Sequence, residues 1–272
     1  MPVRVPVGLS APTPMVSDPS VERLRELQLW QIAYCRDVVR PLTPGLIERG
    51  GLAKGGIMVG RAYTCYGPDI YLNALEGIQP GEVYVQAGCH ATDAVFSPGW
   101  THAYLRVRGA VGAVVDGGVY KSFECSNASC PIFSRFTSPS VAINRRFTPS
   151  VRQPIDMDGV RIAPGDIICG DADGVLVIPK ECEADLMAGL DGYLLGNGMF
   201  GKVAARGLAD GIPMTQQPAI ADMFERKYAH PDSYWRQYEP WWNSWKAKFP
   251  GLNEQSEEGS NAFYSGRTKS KL

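Results

Sequence analysis

Short apolar runs closed by glycine and aspartate turns set the class of fold this chain can adopt. Ala110 to Val115 reads as a buried strand, and Asp116-Gly117-Gly118 as the turn that ends it. Arg161 to Pro179 reads as two more strands around the turns Pro164-Gly165-Asp166 and Asp171-Ala172-Asp173-Gly174. Gly56 to Cys65, Glu82 to Ala87 and Pro131 to Arg135 add further strand-like runs. Helical patterns lie between them. Leu24, Leu27, Trp30, Ile32 and Ala33 have helical spacing over Val21 to Val39, stopped by Pro41 and Pro44. Ile70 to Ile78 predicts a short helix ended by Gln79-Pro80-Gly81, Trp100 to Arg108 a second after Pro98-Gly99, and Glu181 to Leu195 a third. Strands mix with helices throughout, so the class is α/β, or α+β in layers.

The 272 residues suffice for one large domain with extensions or for two small ones, and 44% apolar content is ample for a core. A net charge of -1 argues against broad attraction to nucleic acid or an anionic membrane. No window is apolar and long enough to span a bilayer, and the proline-broken start lacks the apolar core of a signal peptide. The seven cysteines form no C-x-x-C pair, and their odd number without an export signal predicts reduced thiols. Cys125 and Cys130 are close enough in sequence to meet in a loop, but zinc needs more ligands than they supply.

The chain ends Ser270-Lys271-Leu272, which reads as a peroxisomal import address carried on a polar, flexible tail. The partner expected there is the peroxisomal import receptor. Before that tail, Tyr234, Tyr238, Trp241, Trp242, Trp245 and Phe249 fall on one side of a helix, with Trp235 flanking and Pro240 interrupting it. Such a patch either packs on the domain or a neighbouring subunit, or forms a lid that gives a pocket an apolar lining.

Several motifs occur in a recognisable order. Gly109 to Lys121 is G-A-V-G-A-V-V-D-G-G-V-Y-K, Ala163 to Pro179 is A-P-G-D-I-I-C-G-D-A-D-G-V-L-V-I-P, and G-R-A-Y-T and P-G-E precede them at Gly60 and Pro80. Together they resemble the RraA-like family, which includes 4-hydroxy-4-methyl-2-oxoglutarate aldolases and regulators of ribonuclease activity. The resemblance covers Val21 to Leu208, about two-thirds of the chain. It implies a compact β-sheet or barrel core covered by helices, assembly as a homotrimer or hexamer, and a site at a subunit boundary near Pro98-Gly99 and Tyr120-Lys121. The chain then divides into an irregular arm (1–20), an RraA-like domain (21–212), a helical aromatic extension (213–250) and the tail (251–272).

The resemblance also defines what has changed. Family enzymes end the first motif in D-G-x-x-R-D, where Arg holds a substrate carboxylate and Asp helps hold a divalent metal. Those positions are Tyr120 and Lys121 here. A second family acid, at the start of the preceding helix, falls on Gly99 or Pro98, and no acid lies between Asp191 and Asp210 to match the one a C-terminal helix donates. The expectation is a site with no metal and no other cofactor. Lys121 can take the metal's place beside a developing oxyanion, or act as base or Schiff-base nucleophile if desolvated. Tyr120 offers one neutral hydrogen bond in place of a bidentate clamp. Backbone N–H groups at Trp100 and Thr101, next to Pro98 and Gly99, form the substrate-binding helix start. His102 is the best-placed imidazole for acid–base work, with His90 near Asp93 a weaker candidate. Asp116, Asp166, Asp171 and Asp173 sit in glycine-rich turns and are expected to shape backbone.

The function expected from these residues is a metal-independent lyase, isomerase or cyclase acting on a carbonyl-bearing small molecule, including a pericyclic cyclisation. A divergent metal-dependent aldolase or oxaloacetate decarboxylase releasing pyruvate, and a non-catalytic protein-binding regulator, are the alternatives.

Overall fold

The computed structural model describes residues 17–35, 38–42, 45–67, 75–88, 94–96, 100–127, 130–140, 150–190, 194 and 211, and of 94–96, 100 and 126–127 the backbone. Two compact units emerge: Met1–Leu29 with Arg40–Lys180, and Trp30–Val39 with Glu181–Leu272.

In the first unit the apolar runs become one ten-stranded sheet. Its strands are β1 (Arg40–Leu42), β2 (Ile47–Glu48), β3 (Met58–Tyr66), β4 (Glu82–Ala87), β5 (Ala94–Phe96), β6 (Gly112–Val119), β7 (Ile132–Thr137), β8 (Ser150–Val151), β11 (Ile167–Asp171) and β12 (Gly174–Ile178). They run in the order β1-β12-β11-β3-β4-β6-β7-β2, with β5 paired to β6 and β8 to β3. The pairs β3–β4, β4–β6, β5–β6 and β6–β7 are parallel, and antiparallel pairs flank them. A separate hairpin joins β9 (Ile155–Met157) to β10 (Val160–Ile162).

Parallel strands are covered on both faces, which is why β3, β4 and β6 read as almost unbroken apolar runs. Alternate side chains enter two clusters. Tyr63, Tyr84, Ala113 and Val115 join Leu105 on one side. Ala62, Val83, Val85 and Val114 meet Ile155, Met157 and Ile162 of the hairpin on the other. Leu105 is delivered by the helix Trp100–Val107, called α3 below.

Three local expectations change. The single helix over Val21 to Val39 is two: α1 (Pro19–Arg25) and α2 (Leu29–Ala33). Asp18 caps α1, with Pro19 in its first turn. The amide of Leu29 donates to the Asp171 carboxylate at 3.1 Å, so a distant strand end starts the second helix. Asp116-Gly117-Gly118 lies inside β6, where the pairing with β7 shifts register between Val115 and Gly118. The glycines mark a bulge rather than a chain reversal, because β5 and β7 extend alongside them. The third predicted helix begins as a short 3-10 turn (Lys180–Cys182) and continues over 183–190 in the second unit.

Asp166 and Asp171 do shape backbone as expected. Asp166 accepts from the amides of Ala163 (2.7 Å) and Lys180 (2.9 Å), and Asp171 from that of Asp173 (2.8 Å). Asp116 instead pairs with Arg135 at 2.9 Å, and Arg135 also reaches Asp158 in the hairpin turn. Among the described residues, six cysteines are free thiols, and all but Cys182 are buried.

Candidate functional site

In open sheets with parallel strands, ligands bind outside the carboxyl ends of those strands. Here that edge is stepped. Tyr66 pairs with Ala87 at the ends of β3 and β4, and Gln86 pairs with Val115. From Val115, β6 continues four residues to Val119, about 13 Å at strand rise. On the β4 side this projection is covered by β5, which ends with Phe96 opposite Val119. Tyr120 and Lys121 follow Val119 directly, and α3 starts at Trp100.

Lys121 has φ +53°, in the left-handed region that a side chain disfavours by about 1–2 kcal/mol. The turn is held from the other side: the Lys121 carbonyl accepts from the Glu124 amide at 2.9 Å, opening a 3-10 turn over Ser122–Asn127. Its side chain is 49% exposed, with Nζ 3.7 Å from Glu124 Oε1. A surface pair of that kind contributes little and leaves the ammonium free to turn toward a ligand. Tyr120, preceding it, is half-buried. Arg152 and Asp158 share this positive φ, at 52° and 54°.

At the start of α3, Thr101 is fully buried and its hydroxyl has no hydrogen-bond partner in the structure. The amides of Trp100 and Thr101 belong to the first turn, where helical N–H groups have no partner within the helix.

His102 is a correction. It is 5% exposed, and its Nε2 donates to the Cys130 carbonyl at 2.7 Å. Burial pushes its pKa down, Arg106 adds to this, and the Cys130 carbonyl opposes it. The ring faces the packing between α3 and the entry of β7, with its Nε2 committed to the Cys130 carbonyl. Pro98, Gly99, His90, Asp93, the aromatic residues from Tyr234 to Phe249 and Ser270-Lys271-Leu272 lie outside the described residues.

The family's divalent metal finds no fitting donor set among the described residues, which contain no group of three or more His, Cys, Asp or Glu able to hold an ion. Lys121, where the resemblance expects a carboxylate, offers no oxygen ligand to a hard cation. Burial raises the Cys125 thiol to about 11 and the Cys130 thiol to about 12.

Tyr66 closes β3 and is 42% exposed. It packs on Gly88, where a Cβ would lie 2.7 Å from the tyrosine ring. Beneath it, Tyr84 donates to Gln86 Oε1 (3.2 Å), Gln86 Nε2 to the Gly67 carbonyl (2.9 Å), and the Gly67 amide to the Ala87 carbonyl (2.9 Å).

The fold is that of a mixed β-sheet protein with a block of parallel strands flanked by antiparallel ones. The chain belongs to the RraA-like family: the model described as Aldolase/RraA matches residues 37–177, just over half its length. A protein of Halalkalibacterium halodurans, provisionally named 4-hydroxy-4-methyl-2-oxoglutarate aldolase, is 33% identical over 43% of this chain and 55% of its own length. The chain thus spans about half of that curated relative, and less of the others it matches. Two solved structures share the fold. An uncharacterized protein of Pseudomonas syringae pv. tomato has a TM-score of 0.62 at 20% identity, covering 76% of this chain and 95% of its own. Streptomyces coelicolor RraAS2, described as an unusual member of the RNase ES inhibitor RraA family, has a TM-score of 0.55 at 22% identity, covering 66% and 92%.

Proposed function

We propose that this chain is a lyase, isomerase or cyclase on the RraA-like scaffold that polarises a substrate carbonyl without a divalent metal. The observation that supports the reading is the register of Phe96 on Val119, the residue before Tyr120-Lys121, together with the positive φ of Lys121. In this reading Lys121 Nζ faces the carbonyl oxygen as it gains negative charge. Tyr120 donates a second hydrogen bond, and the amides at Trp100 and Thr101 add fixed partial positive charge. The chemistry then rests on positioning and on charge stabilisation that is already in place. A carbon–carbon bond-forming cyclisation and a bond-breaking retro-aldol step both fit this demand. The aldolase-named relative favours the lyase side.

The test is pyruvate release from oxaloacetate and from 4-hydroxy-4-methyl-2-oxoglutarate, with magnesium and with a chelator, alongside metal analysis of the purified protein. The reading expects substoichiometric metal and no chelator-sensitive release. It also expects Lys121→Ala to weaken binding of a 2-oxo acid probe by about tenfold or more, as loss of a charge-assisted contact does. Robust chelator-sensitive release would overturn it and make the chain a divergent metal-dependent aldolase.

A further inference from the structure

Arg61, Arg135 and Arg152 each meet a carboxylate, on Asp18, Asp116 and Glu82 in turn. Arg49, which follows β2, meets none among the described residues. It is half-buried, and burial pushes its pKa below the usual arginine value. A cation drawn out of water without an anion is costly to keep. The groups nearest it do not compensate. The Cys125 thiol is close enough to interact with its charge, but burial raises that thiol to about 11, so it is uncharged at pH 7. Two acids near Cys125 are turned elsewhere. Glu48 accepts from the Leu52 amide at 3.3 Å, and Glu124 Oε1 lies 3.7 Å from Lys121 Nζ.

The guanidinium is nonetheless held in place. Its Nε donates to Ser134 Oγ at 2.8 Å and its Nη2 to the Ser134 carbonyl at 3.0 Å. Ser134 is fully buried, and its own hydroxyl donates to the Phe136 carbonyl at 3.2 Å, which leaves its oxygen lone pairs to Arg49. The backbone is fixed as well: the Arg49 amide donates to the Ile132 carbonyl at 2.8 Å, and the Ile132 amide to the Gly50 carbonyl at 3.2 Å. Ser134 occupies the Nε side of the guanidinium. The parallel N–H pair of Nη1 and Nη2 remains, the fork that grips an oxyanion at two points. Solvent reaches this face, since Ile47, paired opposite Ser134, is 54% exposed. Little side-chain freedom remains to be lost when an anion binds.

We propose that Arg49 anchors an oxyanion-binding site on the face shared by β2 and β7, which takes the carboxylate or phosphate group of a small-molecule ligand. This binding does not depend on the carbonyl-polarising role of Lys121.

Inorganic phosphate and acetate are the probes, titrated into the full chain by calorimetry at constant ionic strength, because salt screens exposed charges. At least one should bind saturably, and the tighter of the two distinguishes a phosphate ligand from a carboxylate. Arg49→Met should weaken that anion by about tenfold or more, the scale of a charge-assisted bidentate contact. Arg49→Lys keeps the charge without the fork, should also weaken binding, and decides the matter if Arg49→Met fails to fold. Arg161→Met removes the same charge from an exposed strand position and should leave the affinity unchanged. Absence of saturable binding to the wild type overturns the proposal, as does unchanged affinity in the folded Arg49 variant. An equal loss in Arg161→Met reduces the binding to general charge attraction and overturns it too. Loss of binding in Lys121→Ala with full binding in the folded Arg49 variant places the anion at Lys121 instead, which refutes this site and leaves the carbonyl reading standing.

Discussion

Replacing Gly60 with alanine tests the packing of β3 directly. A Cβ at this position would lie 2.5 Å from the Gly81 carbonyl oxygen and 2.6 Å from Val111 Cγ2, with Val83 Cγ2 at 3.1 Å. The carbonyl cannot swing aside cheaply. It accepts from the Arg61 amide at 3.3 Å, while the Gly81 amide donates to Gly109 at 2.9 Å. Restoring an ordinary carbon–oxygen approach of about 3.3 Å means opening the β3–β4 seam by about 0.8 Å. Overpacking of that kind costs about 1–3 kcal/mol. The reduced backbone freedom of alanine in the unfolded chain returns about 0.4–1 kcal/mol, so the net loss should be about 1–2 kcal/mol. For a unit of this size that is a fall in Tm of about 2–8 °C. Urea unfolding at fixed protein concentration, followed by far-ultraviolet circular dichroism, should show a lower midpoint with unchanged slope. Gly159→Ala is the control: φ is +79° but nothing lies within 4 Å, so it should cost only the left-handed strain of about 1 kcal/mol. Gly60→Ala at wild-type stability would refute the steric account.

Three further predictions concern charge and burial. Burial alone would raise the Asp18 carboxyl, but the hydrogen bond from Arg61 and the amide of Val21 hold it below the usual carboxylate range. Its contribution is therefore present above the unfolded value near 3.9 and lost as pH falls through the folded one. Asp18→Ala should cost about 1 kcal/mol at pH 7 as a lost cap, and the gap to wild type should narrow in urea titrations below about pH 4. Asp171 behaves oppositely: burial raises it, against the amides of Asp173 and Leu29. The advantage of its protonated form is lost as pH rises through the folded value, so Asp171→Asn should gain on wild type between pH 4 and pH 7, checked by the same midpoints. Native-state labelling with a thiol reagent, read by mass spectrometry, should modify Cys182 before Cys35, Cys65, Cys125, Cys130 and Cys169, which are all buried. Early modification of Cys130 would contradict its burial.

Much of the sheet was readable because local chemistry bounds it. Glu82–Ala87 forms as predicted, with Pro80-Gly81 before it and Gly88 after. The misreadings all involve partners remote in sequence. Asp171 starts α2 from 142 residues away, so periodicity alone extends one helix through the break. Asp116-Gly117-Gly118 has turn composition, yet strands on both sides draw it into β6. His102 has the position of a catalytic imidazole, and only its contact with Cys130 shows it facing the core. For the site, Tyr120 and Lys121 were legible as substitutions within a motif.

The sheet order also sets a timetable for synthesis. Met58 and Val59 of β3 find their antiparallel partners at Gly170 and Cys169, and Arg40 of β1 pairs with Val177. On the ribosome, β3 is therefore made long before β11 can cover its open side, and β1 waits for the last strand of the unit. The parallel block spends that interval with an uncovered border, the form in which a nascent chain is most open to pairing with the wrong neighbour.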